Sequence, residues 1–592
     1  MSAKRRLFVV ALVLGMVAAA CSSSDDGKEP AGPAAEEQPV RGGTFVVGLA
    51  SLPNIGLLSA VNTQGGMQQV AGLLYNGLVE LDEAGKPVPE LATSWDIREN
   101  GKVYEFTLRE GVKWHDFATS GKYVTAADVK FSFEVLLRNH GRASTSITPA
   151  LEQPCSTGAA PLSCPSITAS EASPGSPAKV TFRFANPYAP LLQQLLHTDG
   201  PIIPRHVWDG KPPPTAATPF PDGQDPVGTG PFKFSSQNAN EIVFARNPDY
   251  FKAGLPYLDR VVWRVTAAPR QDLETGAIDW IWSTTGTDLP ALRENPKIAI
   301  NTGTVSAGGS TNCTVKLLLN LWKEGEQPGA IRDGSAAPHR MLGDVNVRRA
   351  VAMALNRSTY VKDVQQDDGS RVANGPINSG ITWATAPAPL PNYDVREADR
   401  LLTAAGWVRQ GGSGTRTYQG ADAGQPGRPQ AGEKFEIDIS GFVGNQTDLA
   451  NKVKQDLAVV GIDVTANTVT PAQMNALYAN RNYDVLIFSN CQGTDPEIGV
   501  RRLYHSSAIT GAPFTNGAGY KNSTIDTLFD QAAQKVNLGD RTPIYAQISA
   551  QIARDLPDIY LIESVANRAY LASCKGFQAY TGHFAETGWC RR

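Results

Sequence analysis

The sequence predicts a mixed α/β protein built as two lobes. Three observations lead there. The chain has 592 residues, several times the roughly 150 residues of one domain. Strand-like stretches of period two and helix-like stretches with capping residues interleave in both halves. Glycine (56) and proline (41) make up about a sixth of the chain, above the usual share of about 12%. That marks a turn-rich protein and excludes a bundle of long helices.

Hydrophobic residues at 41% suffice for a core, so wholesale disorder is excluded. Lys+Arg 54 against Asp+Glu 57 gives a net charge of −3, without the basic excess of a nucleic-acid binder.

The first element is a targeting signal. Lys4, Arg5 and Arg6 precede an unbroken run of apolar and small residues from 7 to 20. The run is shorter than the ~20 residues of a spanning helix and reads as a signal peptide, residues 1–20. It ends Ala18-Ala19-Ala20-Cys21, which suits a lipoprotein signal peptidase and leaves Cys21 as the lipid-carrying terminus. Ordinary cleavage near the alanines is the alternative, and Ala18 stands where leucine is commoner. Losing residues 1–20 removes three positive charges and takes the net charge from −3 to −6. Residues 22–41 are small, charged or proline, so 21–41 is expected to be a lipidated cysteine and a flexible tether. No later segment approaches a transmembrane length.

Residues 42–50 alternate as a strand, with Phe45, Val47 and Leu49 on one side. Met67–Leu78 is predicted helical, with Val70, Leu73, Leu74 and Leu78 on one face. Val103–Leu108 alternates again, and 126–137 reads as a second helix. Residues 153–178, 209–228 and 411–432 read as surface loops, the first holding two cysteines. Asp344 stands before the run NVRRAVAMALNR as a helix cap. Asp394 caps a helix in which Glu397 would complete a capping box and Gly406 would sit at C′. Ala398, Leu401, Leu402 and Ala405 form its buried face. Strands are expected at 435–439 and 483–488. No fixed-period repeat is present.

Apart from Cys21, six cysteines remain: Cys155, Cys164, Cys313, Cys491, Cys574 and Cys590. An even number in an exported protein points to three disulfides, with fifteen formal connectivities. Spacing favours Cys155–Cys164 and Cys574–Cys590 as local loops, leaving Cys313–Cys491 as a long-range bond. There is no CxxC, no Cys/His cluster in sequence and no HExxH, so no metal or cofactor is expected.

Signatures of catalysis are missing too. There is no GxxxxGK[ST], no GxGxxG opening a helix and no GxSxG. Ser176-Pro-Ala-Lys179 matches SxxK only formally, because Pro174 and Pro177 place it in a loop. His115 reads as a hydrogen-bonded turn residue, and Asp367-Asp368 as solvated loop. No enzyme is called for.

A train of segments carries a resemblance. RGGTFVVGLA (41–50) is followed by a long stretch over 75–116 containing Pro89, Leu91, Ala92, Ser94, Trp95, the FTLR of 106–109, Gly111, Val112 and Trp114. VTAADVKFSFE (124–134), PVGTGPFKF (226–234), RNPDYF (246–251), LDRVVWRV (258–265) and LETGAIDWIW (273–282) come next. Then follow DVNVRRAVAMALNR (344–357), YDVREADRLLTAAGW (393–407) and VGIDVTANTV (460–469). In this order they resemble the family 5 extracellular solute-binding proteins, the peptide receptors of ABC importers, from residue 41 to about 570. Taken singly, most of these residues read as core or turn: Trp95, Phe106, Leu108, Val112 and Trp114 as core, Pro226, Gly228, Gly230 and Pro231 as turns, and Asp279, Asp344 and Arg357 as caps or pairs.

The resemblance implies a periplasmic-binding-protein-like fold with the ligand enclosed between lobes. Lobe I would comprise 42–72, 200–300 and 564–592, with 73–199 as an added subdomain; lobe II would run from 301 to 563. It also implies a monomer anchored at the outer face of the membrane, binding a peptide or similar solute and meeting ABC permease subunits. A scaffold or regulatory lipoprotein with a blocked cleft is the alternative. Two segments map onto cleft-lining positions: Asn62, Thr63, Gln64 and Gly65, and the segment Ser489, Asn490, Cys491, Gln492, Gly493, Thr494 and Asp495. Backbone groups there would pair with an extended peptide. Trp282, Trp322 and Trp383 are candidate aromatic walls. Relatives often carry an aromatic residue at Asn490 and an amine-binding aspartate at Gly493, so Asp495 is expected to take over the ligand's amine, or the ligand has none. Some relatives also carry cysteines at the positions of Cys313 and Cys491.

Overall fold

A computed structural model of the chain describes residues 38–591 except 54–64, 83–85, 139–143, 157–162, 212–224, 283, 285, 303–312, 367, 386–387, 413, 443, 512–513, 566 and 578–582. The signal peptide, Cys21, most of the tether, and Asn62, Thr63 and Gln64 lie outside the described residues.

Three sheets organise the body. A seven-stranded sheet has the order Ile298–Thr302, Asn567–Leu571, Trp280–Ile281, Thr44–Leu49, Arg260–Val265, Glu241–Arg246, Phe232–Gln237. Thr44–Leu49 is central and parallel to both neighbours. It is therefore buried on both faces: Phe45, Val47 and Leu49 join one apolar cluster and Val46 another. The Asp279 carboxylate accepts from the Val46 backbone N–H at 2.8 Å and pins its start.

A six-stranded sheet runs Arg371–Val372, Asp558–Ser564, Cys313–Leu319, Val485–Cys491, Glu436–Phe442, Asp463–Val469. Helices cover both of its faces. Val345–Ala354, Val395–Ala404 and Asn445–Val459 pack on one; Ser523–Ala533 and Leu538–Asp555 pack on the other. The chain passes between the two large sheets after Ile298–Thr302 and returns after Asp558–Ser564. A four-stranded antiparallel sheet, Ala92–Arg98, Val103–Leu108, Lys179–Arg183 and Ile167–Ser170, carries its own core of Phe106, Leu108, Val112, Trp114, Phe133 and Phe182.

Several boundaries differ from the sequence reading. The first helix is Gly65–Leu74 and stops short of Leu78. The chain turns there because the Leu78 N–H donates to the Leu195 carbonyl at 2.9 Å, and a Cβ on Gly77 would meet that oxygen at 2.1 Å. The 153–178 stretch is more than a loop, since Ile167–Ser170 forms an edge strand within it. Likewise Thr417–Tyr418 pairs with Trp407–Val408. The strand expected at 483–488 is Val485–Cys491, and that at 435–439 is Glu436–Phe442.

Asp344 accepts from the Asn346 N–H and Asp394 from the Glu397 N–H, as helix caps should. Glu397, however, spends its carboxylate on Arg400, at 2.6 and 2.7 Å, so the reciprocal half of the capping box is not made. Asp368 is buried and caps the Ser370 N–H at 2.8 Å, where a solvated loop residue was expected. His115 is a buried turn residue. Its Nδ1 accepts from the Gly228 N–H, its Nε2 faces the Gly230 carbonyl, and burial pushes its pKa down to about 3. All three disulfides form as spacing favoured: Cys155–Cys164, Cys313–Cys491 and Cys574–Cys590.

Candidate functional site

The Val485–Cys491 strand carries the candidate site. Its apolar residues hold it in the middle of the six-stranded sheet, antiparallel to Cys313–Leu319, and the register sets Cys491 opposite Cys313, where the disulfide closes the pair. Beyond Cys491 the chain leaves the sheet. Gln492 anchors that exit with its whole amide: Oε1 accepts from the Asn378 N–H at 2.8 Å and Nε2 donates to the Pro376 carbonyl at 2.7 Å. Gly493 takes φ +69°, a left-handed turn suited to glycine. The short helix Pro496–Gly499 then folds back so closely that a Cβ on Gly499 would meet the Gln492 carbonyl oxygen at 2.0 Å.

Thr494 and Trp383 belong to one constellation. The Trp383 indole N–H donates to the Thr494 carbonyl at 3.1 Å. The Thr494 hydroxyl donates to Gln193 Oε1 at 2.8 Å, tying the segment to the part of the chain that follows the four-stranded sheet. Asp495 does not present a free carboxylate. Arg541 takes both its oxygens, at 2.6 and 2.7 Å, and Asp495 also caps the Glu497 N–H. Both partners are buried, and Arg541 lies over the Trp383 ring at 4.9 Å. The expectation that Asp495 grips a ligand's amine is corrected accordingly: an arginine 46 residues on has already neutralised it.

Asn490 is different. It is 2% exposed, it lies opposite Thr314 in the register, and among the described residues neither its amide nitrogen nor its amide oxygen has a hydrogen-bond partner. Leaving such a buried group unpaired costs about 1–3 kcal/mol. Ser489 beside it is half-buried.

Trp282 stands elsewhere, at the end of the Trp280–Ile281 strand in the seven-stranded sheet. Its ring lies 5.1 Å from that of Trp263 and under the Arg568 guanidinium at 4.5 Å. Trp322 serves the core: its indole N–H donates to the Gly519 carbonyl at 2.7 Å and its ring packs near Ile331 and Ile509. Gly65 begins the first helix.

The sequence reading missed a charged group next to the site. Glu497 is buried beside Arg501 (3.3 Å) and Tyr545, and burial raises its pKa to about 7 although Arg501 and Arg541 pull it down. Glu497, Arg501, His505, Asp530 and Tyr188 line a cavity of about 320 Å³ where residues 149–188 meet 497–534. Glu497, Arg501 and His505 follow one another at four-residue steps, a spacing that could have signalled them, whereas Tyr188 and Asp530 join them only in the fold.

Residues 86–511 match the family of bacterial extracellular solute-binding proteins, family 5. The chain belongs to that family. The oligopeptide-binding protein AppA of Bacillus subtilis is 25% identical over 586 residues, covering 97% of this chain and 94% of AppA. Di/tripeptide-binding protein 2 of Pseudomonas aeruginosa is 26% identical over 532 residues, covering 85% of this chain and 86% of its own. Among solved structures, AppA in complex with a nonapeptide superposes with a TM-score of 0.74 at 24% identity, covering 94% of this chain and all of AppA. DppA of Helicobacter pylori, in complex with the peptide STSA, gives 0.73 at 21%, with 93% and 99% covered. The fold is therefore the two-lobed one of these receptors. No helix among the described residues is long and apolar enough to cross a membrane.

Proposed function

We propose that the protein captures peptides in a cleft between its two lobes and delivers them to the permease of an ABC importer. In this reading lobe I comprises 42–72, 200–300 and 564–592 with 73–199 added, lobe II is 301–563, and a lipid on Cys21 holds the monomer at the outer membrane face. Capture is its whole task, and no reaction is catalysed. The relatives' names and the peptides bound in the solved structures support the ligand class.

One observation carries the site: the buried Asn490 amide, unpaired at the end of a central strand. A peptide unit offers one donor and one acceptor, the complement of an unpaired amide nitrogen and oxygen. The ligand would lie along 489–494, held through its backbone and not by a carboxylate clamp on its amine. The blocked-cleft scaffold gains no support from relatives that are named for what they bind.

Native mass spectrometry of the gently purified protein tests the reading. Co-purified peptides that leave on denaturation are the expected result. A clean protein mass that no added peptide shifts would contradict it.

A further inference from the structure

Away from the cleft, the described residues bring four metal-ligating side chains into one buried place. Glu80 comes from the Val79–Leu81 strand, Glu90 directly follows its partner strand Pro87–Pro89, His197 comes from the segment after Leu191–Gln194, and His583 from the C-terminal stretch. Their exposures are 8%, 1%, 2% and 4%. Ligand atoms of Glu80, His197 and His583 all lie within 4.8 Å of one another. Glu80 Oε2 is 2.9 Å from His197 Nδ1 and 3.8 Å from His583 Nε2, and Glu90 Oε1 is 3.2 Å from the same Nε2. Four donors around zinc, at bonds of about 2.0–2.2 Å, lie roughly 3.3 Å apart. The observed spacings bracket that value.

The hydrogen bonds say which nitrogen is available. The Thr229 hydroxyl donates to Asn76 Oδ1 at 2.8 Å, so the Asn76 NH₂ group faces Glu90 Oε1 at 2.5 Å and His583 Nε2 at 2.9 Å. In the tautomer whose ring proton sits on Nδ1 and donates to the Gly72 carbonyl, Nε2 accepts from that NH₂ group and offers a lone pair. A backbone acceptor on the second nitrogen is how metal-ligating histidines are usually oriented.

Charge points the same way. Glu80, Glu90 and Glu586 bring three carboxylates to this network, against one ammonium, Lys252, at 2.8 Å from Glu90 and 3.0 Å from Glu586. Glu80 and Glu90 are buried, where unpaired charge is costly. A divalent cation held by Glu80, His197 and His583 would offset that charge.

We infer that Glu80, His197 and His583 form a structural site for a divalent transition metal of the zinc class. Two imidazoles with carboxylates suit zinc, whereas calcium and magnesium prefer all-oxygen shells. Burial of every ligand makes it a closed, structural site. The metal would tie the C-terminal stretch to residues 80 and 197, far apart in sequence.

The test uses the full mature chain and zinc ions alone. Protein unfolded in guanidinium and refolded with zinc, disulfides intact, is washed with chelator and its metal measured by plasma mass spectrometry. About one zinc per chain, a melting temperature above that of protein refolded with chelator, and visible absorption of a four-coordinate site on cobalt substitution are expected. His197→Gln and Glu80→Gln should each lose the bound zinc while keeping the wild-type circular dichroism. Wild-type protein that holds no stoichiometric zinc and melts identically with and without it would overturn the inference. So would zinc retained at full occupancy in both variants, since the metal would then sit elsewhere.

Discussion

Asn490 is the residue whose surroundings ask for a ligand. Its amide is buried and, among the described residues, unpaired, a cost that a ligand held as proposed would relieve. Asn490→Ala should therefore act with opposite signs on stability and affinity. The free protein should gain about 1–3 kcal/mol, read by denaturant unfolding, and peptide affinity should fall at least tenfold, or about 1.4 kcal/mol, read by calorimetry. A variant destabilised without change in affinity would make Asn490 a packing residue. Glu497 gives a pH dependence of definite sign. Its folded pKa of about 7 lies above the ordinary 4.5 because burial outweighs the neighbouring arginines. Between those values the folded state holds the proton that the unfolded state has released, so stability falls as pH rises from about 4.5 through 7. A shift of this size corresponds to on the order of 3 kcal/mol. Glu497→Gln should flatten that slope in urea titrations run across the interval; an unchanged slope would assign it to other groups. At this scale the sequence shows that Asp495 precedes a proline and can cap a helix. It does not show Arg541, and that partner decides whether the carboxylate is available.

Elements were legible where a local rule governs them. Asp344 and Asp394 cap their helices, and Gly406 sits at φ +89° just past the second. Legibility failed where a distant backbone sets the boundary. The first helix ends at Leu74 because the segment around Leu195 takes the Leu78 N–H, and Glu397 abandons its capping box for a bidentate arginine. The Cys313–Cys491 bond joins two neighbouring strands of one sheet across a sequence separation of 178. On the chain-entropy account it contributes about 5 kcal/mol. Cys313→Ser with Cys491→Ser should lower the unfolding free energy by up to that amount. It should also weaken peptide binding, because the bond holds the strand end from which the 489–495 segment departs. Unaltered affinity in the double variant would separate the disulfide from the site.

At the scale of the molecule, the order of segments along the chain was enough to anticipate two lobes, because each segment sets a strand or helix whose neighbours follow in a fixed sequence. The charged cavity by Glu497 and the Glu80–His583 cluster were not: apart from the four-residue steps from Glu497 to Arg501 and His505, their members lie far apart in sequence and meet only through packing. Anchorage belongs to this scale too. Cys21→Ser should move the protein from the membrane fraction to the soluble one with its melting temperature unchanged, and unaltered partitioning would sink the lipid anchor. Calorimetric titration of the mature protein with short peptides, free and N-acetylated, decides whether it captures peptides. Saturable binding that acetylation weakens less than tenfold is the predicted result, because Arg541 occupies Asp495 and the ligand's backbone carries the contact. Absence of binding to any peptide of either kind would contradict the account.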